Sequence, residues 1–334
     1  MNDNLVDELP VYFKEADRGS EGLDEDAKGH YERKLELLRD PSVVSKQWES
    51  INYFLKSHGM DIRGKTVLDV GCGTGYTSIY FAAAGAELVV GMDPRSTKMD
   101  AFRSYTKFLP QKIRSRIEMS EIRSEQMDWM DRFDVVYAQE SISHIVDDRL
   151  FETLFNSIKP KGLLLISDGN NELCAHYRKE IWDYWDRIEN GPPGQAGHHF
   201  VEAVYKDLRK DIISELLGND IDNTRIEELV QNTSYLHGDE LKRAVEDSAS
   251  SGKHPNSPYK LGTPPIHPIG GYFMERTFNP YQLKKDLLNI GFSKCSLYGG
   301  VGLSKPRFLR PLISMIPLRY KFMRSHNFKV VATK

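Results

Sequence analysis

A chain of 334 residues with 40% hydrophobic and 28% charged residues can bury a core, which excludes disorder as its main state. Its longest apolar runs, such as residues 162–166, are far shorter than the roughly 18 residues that a membrane-spanning helix needs. The acidic N-terminus shows neither the basic nor the apolar region of a secretory signal, so we expect a cytoplasmic protein.

The cysteines and charges limit the partners that the chain can have. Three scattered cysteines form neither a disulfide framework nor a zinc site. No acid follows Asp286, and the basic C-terminal segment contains apolar residues between arginines at 308–323. This segment predicts either weak contact with an anionic membrane surface or a helix packed between the last two strands. The rest of the chain has an excess of acidic residues and no RNA-binding motif, so we expect no nucleic-acid partner.

The first 168 residues predict helices followed by an α/β pattern. Trp48, Ile51 and Phe54 fall at helical spacing, and Gly59 is placed to end the second of two helices within 26–60. Continuous apolar strands then alternate with helices, which indicates a parallel sheet covered on both faces. The predicted strands are 66–70, 88–92, 116–119, 133–138 and 163–167, and the predicted helices between them are 77–84, 96–108 and 150–158.

The region 169–278 interrupts this alternation. It contains amphipathic helical segments and loops rich in Pro and Gly without strand signal, which is typical of an inserted cap rather than a loop. The α/β pattern resumes with a helix at 280–289 and strands at 292–298 and 327–333. The predicted organisation is an N-terminal helical segment at 1–60, a cofactor-binding domain at 61–168 and 279–334, and a mainly helical substrate cap at 169–278.

A glycine-rich loop follows the first predicted strand. The segment VLDVGCGTG places Gly71, Gly73 and Gly75 before a helix, where glycines let the backbone approach a ligand closely. The dinucleotide fingerprint needs its third glycine at position 76, which is Tyr76 here. The loop therefore disfavours a dehydrogenase.

Two acids accompany the loop and indicate a different ligand. Asp69 precedes the loop, where it would repel a pyrophosphate but suits an ammonium group. Asp93 ends the second strand, where a carboxylate can accept hydrogen bonds from ribose hydroxyls. S-adenosylmethionine carries an ammonium group and a ribose and has no phosphate.

Four ordered segments resemble the class I S-adenosylmethionine-dependent methyltransferases. They are VLDVGCGTG, GMD ending at Asp93, RFDVVYAQESISHI and IKPKGLLLISD. The resemblance covers about residues 60–168 and, more loosely, 280–334. It implies an α/β, doubly wound, Rossmann-like fold with a seven-stranded sheet of order 3-2-1-4-5-7-6 and an antiparallel strand 7. It also implies a methyltransferase whose cofactor is S-adenosylmethionine.

The resemblance also implies the cofactor contacts. Asp69 would face the methionine end, and the loop from Gly71 to Gly75, including Cys72 and Gly73, would pack on the cofactor. Asp93 would hold the ribose diol, and Gln139 would flank the methionine moiety.

One departure from the family lies beside the adenine. Members often have an acid followed by a small residue there, whereas this chain has Arg123 and Ser124. Adenine recognition would then rest on backbone groups and on Met92, Met127 and Trp129. The alternative for Met127 and Trp129 is plain core packing.

Histidines are the candidate bases for a hydroxyl acceptor, whose proton must be removed. His144 lies just beyond Glu140 after the fourth strand, where the family often places a histidine. His198 and His199 in the cap are the second candidates. The alternatives are a packing or capping role for His144 and a solvent-exposed pair at 198–199.

Polar residues after the fifth strand leave a metal site open. Asp168 and the residues up to Glu172 could join Glu140 as magnesium ligands, as in catechol-type O-methyltransferases. Gly169 interrupts the adjacent Asp-Asn pair that those enzymes use, so we expect no metal. These side chains could instead shape the acceptor pocket or form an Asx turn.

Aromatic residues of the cap suit a sugar or polyketide-like acceptor, or else form the core of the cap itself. They are Trp182, Trp185, Tyr205, Tyr235, Tyr259 and Tyr272. We therefore expect O-methylation of a small molecule or glycan-type metabolite. The alternatives are N-methylation of a small amine, a magnesium-dependent O-methyltransferase, and a non-catalytic binding protein, against which the intact acids and glycines argue.

Overall fold

The computed structural model describes residues 4–145, 147–196, 199–218, 221–253, 255, 264–269, 274–299 and 316–334. The chain divides into two units. The sheet unit comprises residues 1–169 and 279–334, and the inserted unit comprises residues 170–278.

The strands of the sheet unit form a seven-stranded sheet of order β3-β2-β1-β4-β5-β9-β8. Strand β9 runs antiparallel to both of its neighbours, and the other pairs are parallel. Because β6 and β7 lie in the inserted unit, β8 and β9 are the sixth and seventh strands of the sheet, and the predicted order is confirmed. The strands are β1 Thr66–Val70, β2 Leu88–Met92, β3 Ile117–Ser120, β4 Phe133–Gln139, β5 Ile158–Asp168, β6 Gly194–Ala196, β7 His199–Val201, β8 Lys294–Gly299 and β9 Phe328–Thr333.

Helices cover the sheet and build most of the inserted unit. Those of the sheet unit are α1 Leu9–Tyr12, α2 Glu25–Arg39, α3 Pro41–Ser57, α4 Tyr76–Ala83, α5 Ser96–Thr106, α6 Gln111–Arg114, α7 Leu150–Ser157, α12 Pro280–Ile290 and α13 Leu318–Met323. Those of the inserted unit are α8 Ala175–Asn190, α9 Tyr205–Leu217, α10 Asn223–Asn232 and α11 Gly238–Ser251.

Side-chain caps explain where several helices begin. Asp24 accepts a hydrogen bond from the first turn of α2, and Asp40 and Asn279 do the same for α3 and α12. Pro41 and Pro280 occupy the first helical positions, where the missing N–H is not needed. The two helices predicted within 26–60 are confirmed as α2 and α3.

The N-terminal helices share one core with the sheet. Trp48 of α3 packs edge-on against Phe81 with ring centroids 5.9 Å apart, and Phe54 packs against Tyr298 of β8 at 4.9 Å. Each such aromatic pair contributes about 0.5–1.5 kcal/mol beyond the area that it buries. This packing holds α3 against the sheet.

Strand β5 begins at Ile158, five residues before its predicted start. Residues 159–162 contain Pro160 and Gly162, which are typical of a helix stop, but they belong to the strand. The register between β4 and β5 shifts here, from Phe133 opposite Ile158 to Val135 opposite Leu163. Such an irregularity accommodates a proline within a sheet.

The inserted unit is mainly helical, but it also contains the antiparallel hairpin of β6 and β7, which the sequence analysis did not predict. Its helices enclose an ion pair in which Arg209 donates to Glu189, with both side chains fully buried. None of the helices in the described part of the chain combines the length with the apolar character that a membrane span requires. Residues 300–315 of the basic segment lie outside the described residues, so its membrane contact stays a prediction.

Candidate active site

The carboxyl ends of β1, β4 and β5 bring the predicted site residues of the sheet unit to one edge. Val70 of β1 pairs with Ala138 of β4, and Gln139 pairs with Ser167 of β5. The glycine loop therefore begins beside the end of β4. Ligands of open α/β sheets bind at this edge, outside the carboxyl ends of the strands.

Asp69 lies beneath the loop and is 1% exposed. Its Oδ2 accepts hydrogen bonds from the hydroxyls of Thr77 and Ser78, each at 2.6 Å. Burial raises the pKa of Asp69 to about 6, although these hydroxyls act in the opposite direction. The carboxylate thus holds the first turn of α4 and supplies a buried negative charge near the loop.

The three loop glycines serve different purposes. Gly71, Gly73 and Gly75 have φ values of 65°, 56° and 73°, a region that side chains disfavour. A Cβ on Gly71 would lie 2.5 Å from Ser141 Cβ, and one on Gly75 would lie 2.2 Å from a ring carbon of Phe102. A Cβ on Gly73 would meet no atom closer than 3.7 Å. Gly71 and Gly75 therefore permit internal packing, whereas Gly73 leaves room for a ligand.

Two hydroxyls at the loop are buried without a hydrogen-bond partner among the described residues. They are Oγ1 of Thr74, within the loop, and Oγ of Ser141, beside Gly71. Buried polar groups normally have partners, so these hydroxyls indicate a polar ligand. S-adenosylmethionine carries ammonium, carboxylate and hydroxyl groups that could pair with them, and the residues present fit this cofactor.

Asp93 is 1% exposed and faces the same loop. Its Oδ2 accepts a hydrogen bond from Gly73 N at 3.1 Å, and its Oδ1 accepts from Arg95 N at 3.0 Å. The Arg95 guanidinium also reaches the carboxylate, with Nε 3.2 Å from Oδ1. A ribose diol bound to Asp93 would compete with this guanidinium. The sequence analysis did not single out Arg95.

Gln139 and Cys72 are already engaged within the protein. Gln139 Oε1 accepts a hydrogen bond from the Tyr137 hydroxyl at 2.6 Å, which leaves the amide N–H₂ to bind a ligand. Cys72 Sγ lies 3.9 Å from Met99 Sδ in the core. Its backbone N–H and carbonyl bond to Met92 and Gly75. Because its thiol, N–H and carbonyl all make contacts within the protein, Cys72 is a weak candidate for contact with a cofactor.

The residues predicted near the adenine follow β3. Arg123 is exposed, and Ser124 is buried and donates to Glu125 at 3.3 Å. Met127 is buried, and the Trp129 ring packs edge-on against Phe133 at 5.3 Å. These contacts favour packing roles for Met127 and Trp129. The roles of Arg123 and Ser124 stay predictions.

His144 ends the short 3-10 helix Ile142–His144 after β4 and is exposed. Its backbone N donates to Ser141 O at 3.1 Å, and the buried Asp168 carboxylate accepts from Ser143 N at 3.4 Å. Asp168 thus ties the end of β5 to the turn that carries His144.

The other histidine candidates belong to the inserted unit. His198 lies outside the described residues, and His199 is described only as the first backbone position of β7. Among the described residues, no group of three or more His, Cys, Asp or Glu side chains could hold a metal ion. The magnesium alternative therefore gains no support from this part of the chain.

A lysine that sequence reasoning missed lies at the same edge. Lys329 of β9 donates from Nζ to Ser167 Oγ at 2.6 Å, and Nζ lies 5.5 Å from the Phe54 ring centroid. Burial lowers the pKa of Lys329 to about 8, and the nearby charge of Glu140 acts in the opposite direction. Its only sequence signal was a lysine within the apolar strand FKVVAT.

The sheet order, the glycine loop and the two buried acids define a class I S-adenosylmethionine-dependent methyltransferase. The chain belongs to the methyltransferase-domain family, whose model matches residues 43–247. The protein is therefore an enzyme whose cofactor is S-adenosylmethionine.

Relatives with different acceptors are similar to this chain. A tRNA U34 carboxymethyltransferase of Sulfurovum sp. is 25% identical over 61% of this chain and 68% of its own length. A ubiquinone biosynthesis O-methyltransferase of Rhodopseudomonas palustris is 33% identical over 33% of this chain and only 42% of its own length. The structure of an S-adenosylmethionine-dependent methyltransferase of Mesorhizobium loti is 15% identical over 84% of this chain and 96% of that one, with a TM-score of 0.45.

Proposed function

We propose that the enzyme transfers a methyl group from S-adenosylmethionine to an oxygen of a small molecule or glycan-type metabolite. The observation that carries this proposal is the position of His144, which is exposed on the turn after β4 that packs Ser141 against Gly71 and that Asp168 holds. The similarity to ubiquinone O-methyltransferases supports an oxygen acceptor.

The cofactor supplies a methyl group already activated on a sulfonium sulfur, so the protein must mainly align the acceptor and exclude water. Asp69 and Asp93 would fix the ammonium and ribose groups, and Gly73 would leave space for them. His144 would take the proton of the acceptor hydroxyl. The acceptor oxygen would thereby be left with the electron pair that must face the methyl group supplied by the cofactor.

We propose that the inserted unit selects the acceptor, because the chain enters it one residue after Gly169, next to the end of β5. Its described rings give limited support to a stacking surface. Trp185, Tyr205 and Tyr235 are buried, and Trp182 packs against the same cluster as Trp185. These four rings favour the alternative of an internal core. Tyr259 and Tyr272 lie outside the described residues.

A panel of phenols, sugars, carboxylic acids and amines with labelled S-adenosylmethionine tests the proposal. We expect label on oxygen acceptors, and we expect His144→Ala to lower turnover by about 10²–10⁴-fold, the usual contribution of a general base. His176→Ala, an exposed histidine of α8, is the matched control. Label on amines alone would establish N-methylation instead.

Transfer to RNA is a second candidate, favoured by basic side chains near the loop. Lys34 Nζ lies 4.9 Å from the Tyr76 ring centroid, and burial together with the charges of Arg95 and Lys34 lowers the pKa of Lys98. Together with the tRNA-modifying relative, these cations suit a phosphate backbone. Incubation with total tRNA tests this candidate, and tRNA that stays unlabelled in low salt would remove it.

A further inference from the structure

Lys329 belongs to a row of side chains that crosses four neighbouring strands at the carboxyl edge of β4 and β5. Gln139 of β4 pairs with Ser167 of β5, Ser167 pairs with Lys329 of β9, and Lys329 pairs with Tyr298 of β8. Residues paired in this way lie on the same face of a sheet. The lysine is therefore two strands away from the glutamine predicted to flank the methionine moiety.

The ammonium group of Lys329 is incompletely paired. An ammonium group has three donors, and the described residues accept one hydrogen bond from it, at Ser167 Oγ. No carboxylate of the described residues lies within the 4.0 Å of an ion pair with Lys329, and the ring of Phe54 lies on one side of it. Glu140 is the acid whose charge raises the pKa of Lys329, and its carboxylate accepts a hydrogen bond from Gly169 N at 3.0 Å.

We propose that Lys329 binds an anionic oxygen of the acceptor, so that the preferred acceptors are phenols, enols or carboxylic acids that ionise at or beside the methylated atom. The proposal deepens the oxygen acceptor of the proposed function and rests on it. Ser167 orients the ammonium group, and the two remaining donors are available to the ligand.

The physical reason is electrostatic. An opposite charge within about 4–6 Å lowers the pKa of an acidic group by roughly 1–3 units. The positive charge of Lys329 would keep a larger fraction of the acceptor ionised, and an ionised oxygen is the better nucleophile. An acceptor that binds as the anion needs no further proton transfer, whereas one that binds in its neutral form still gives its proton to His144.

Other titratable groups lie beside Lys329 or beside its neighbours, so a pH series needs controls for them. They are Glu140 after β4, Tyr298 on β8 and His58 after α3, whose ring lies 6.1 Å from that of Tyr298. Burial raises the pKa of Tyr298, so that it stays neutral through the range in which Lys329 titrates. The variants Glu140→Gln and His58→Gln show whether the titration of Glu140 or of His58, rather than that of Lys329, causes a pH-dependent change.

The test uses 4-nitrophenol, whose anion absorbs visible light, bound to the full-length protein with S-adenosylhomocysteine. The absorbance over a pH series gives the pKa of the bound dye. In the wild type we expect this pKa to be about one unit lower than in Lys329→Met, a tenfold difference in the ratio of anion to phenol. Lys285→Met, an exposed lysine of α12, is the control and should match the wild type.

Calorimetry with S-adenosylhomocysteine shows whether Lys329→Met has kept its fold and cofactor site. Equal dye ionisation in the wild type and Lys329→Met, or no dye binding to the wild type, would overturn the proposal. If the dye shift depends on Lys329 but no oxygen acceptor is methylated, the anion site stands and the proposed function falls.

Discussion

Replacing Gly73 with alanine separates ligand binding from folding at the glycine loop. Gly73 has a φ of 56°, and a Cβ there would meet only ordinary contact at 3.7 Å. The substitution therefore strains the backbone without creating an internal clash. Gly64 has a φ of 67° with no atom within 4 Å of an added Cβ, which makes Gly64→Ala a control for strain alone.

The expected magnitudes follow from this geometry. Left-handed backbone conformation costs a non-glycine residue about 1–2 kcal/mol, so both variants should lose a similar amount of unfolding free energy. Only Gly73→Ala adds a methyl group to the side of the loop that is open for the cofactor. Loss of one well-formed polar contact there costs about 1–3 kcal/mol, which corresponds to roughly 5- to 150-fold in affinity.

Urea unfolding and calorimetric titration with S-adenosylhomocysteine measure the two effects on the same samples. The expected result is equal destabilisation of the two variants, with weakened cofactor binding in Gly73→Ala alone. If Gly73→Ala binds the cofactor as tightly as Gly64→Ala does, the loop is not the cofactor cradle and the fit argued from Gly73 is wrong.

Further outcomes concern the buried acids. Asp93→Ala should weaken cofactor binding by about 1–3 kcal/mol, whereas Arg95→Ala should not weaken it, because the guanidinium competes for the same carboxylate; equal losses would contradict this. Because the pKa of Asp69 is raised to about 6, its carboxyl loses its charge as the pH falls below 6, so cofactor affinity should drop between pH 7 and 5; a flat calorimetric profile would refute the ammonium contact. In the inserted unit, Glu189→Gln should destabilise the protein by about 3–5 kcal/mol in urea unfolding, since it leaves Arg209 buried without its ion pair, and Arg209→Met should restore part of this loss in the double variant.

The fold was predictable where its signals are local. Apolar runs predicted β1, β2 and β4 to within a residue, and the caps at Asp24 and Asp40 start helices where the helical spacing placed them. The early start of β5 was not predictable in the same way. Its first residues are typical of a helix stop, and tertiary contacts hold them in the sheet. These are the pairing with β4 across a register shift and the backbone hydrogen bonds that Lys161 and Gly162 make with Lys334.

The hairpin of β6 and β7 shows a second limit. Each strand has three residues, too few for a period of two to become visible in the sequence. The segment 189–200, which contains most of the hairpin, is rich in proline and glycine, and this composition predicted a loop. Pairing between the two strands, together with the burial of Ala196 and Val201 in a cluster with Ile181 and Trp185, supplies what local propensity does not.

In the candidate site, too, residues that belong to a local motif could be predicted, and those that depend on tertiary contacts could not. The glycine loop and Asp93 are carried by a contiguous motif, so the sequence alone placed them at one edge. The role of Gly75 depends on contact with Phe102, and the pairing of Asp93 depends on the rotamer of Arg95, neither of which a motif records. Thr74 and Ser141 became candidates only because their hydroxyls are buried without described partners.

Lys329 shows how a departure from a local pattern becomes a functional hypothesis. The strand FKVVAT is otherwise mainly apolar and buried. Burying the charge of a lysine there costs free energy unless an interaction with that charge compensates for it. A structural salt bridge would be one such interaction, but the amine donates to a neutral serine and the described carboxylates lie beyond ion-pair distance. Lys329 lies in a row with Gln139 and Ser167. Its positive charge, which has no ion-pair partner among the described residues, is therefore at the edge of the sheet where an ionisable acceptor would lose its proton. The dye titration therefore tests whether the charge of Lys329 stabilises the anionic form of a bound acceptor or has no effect on it.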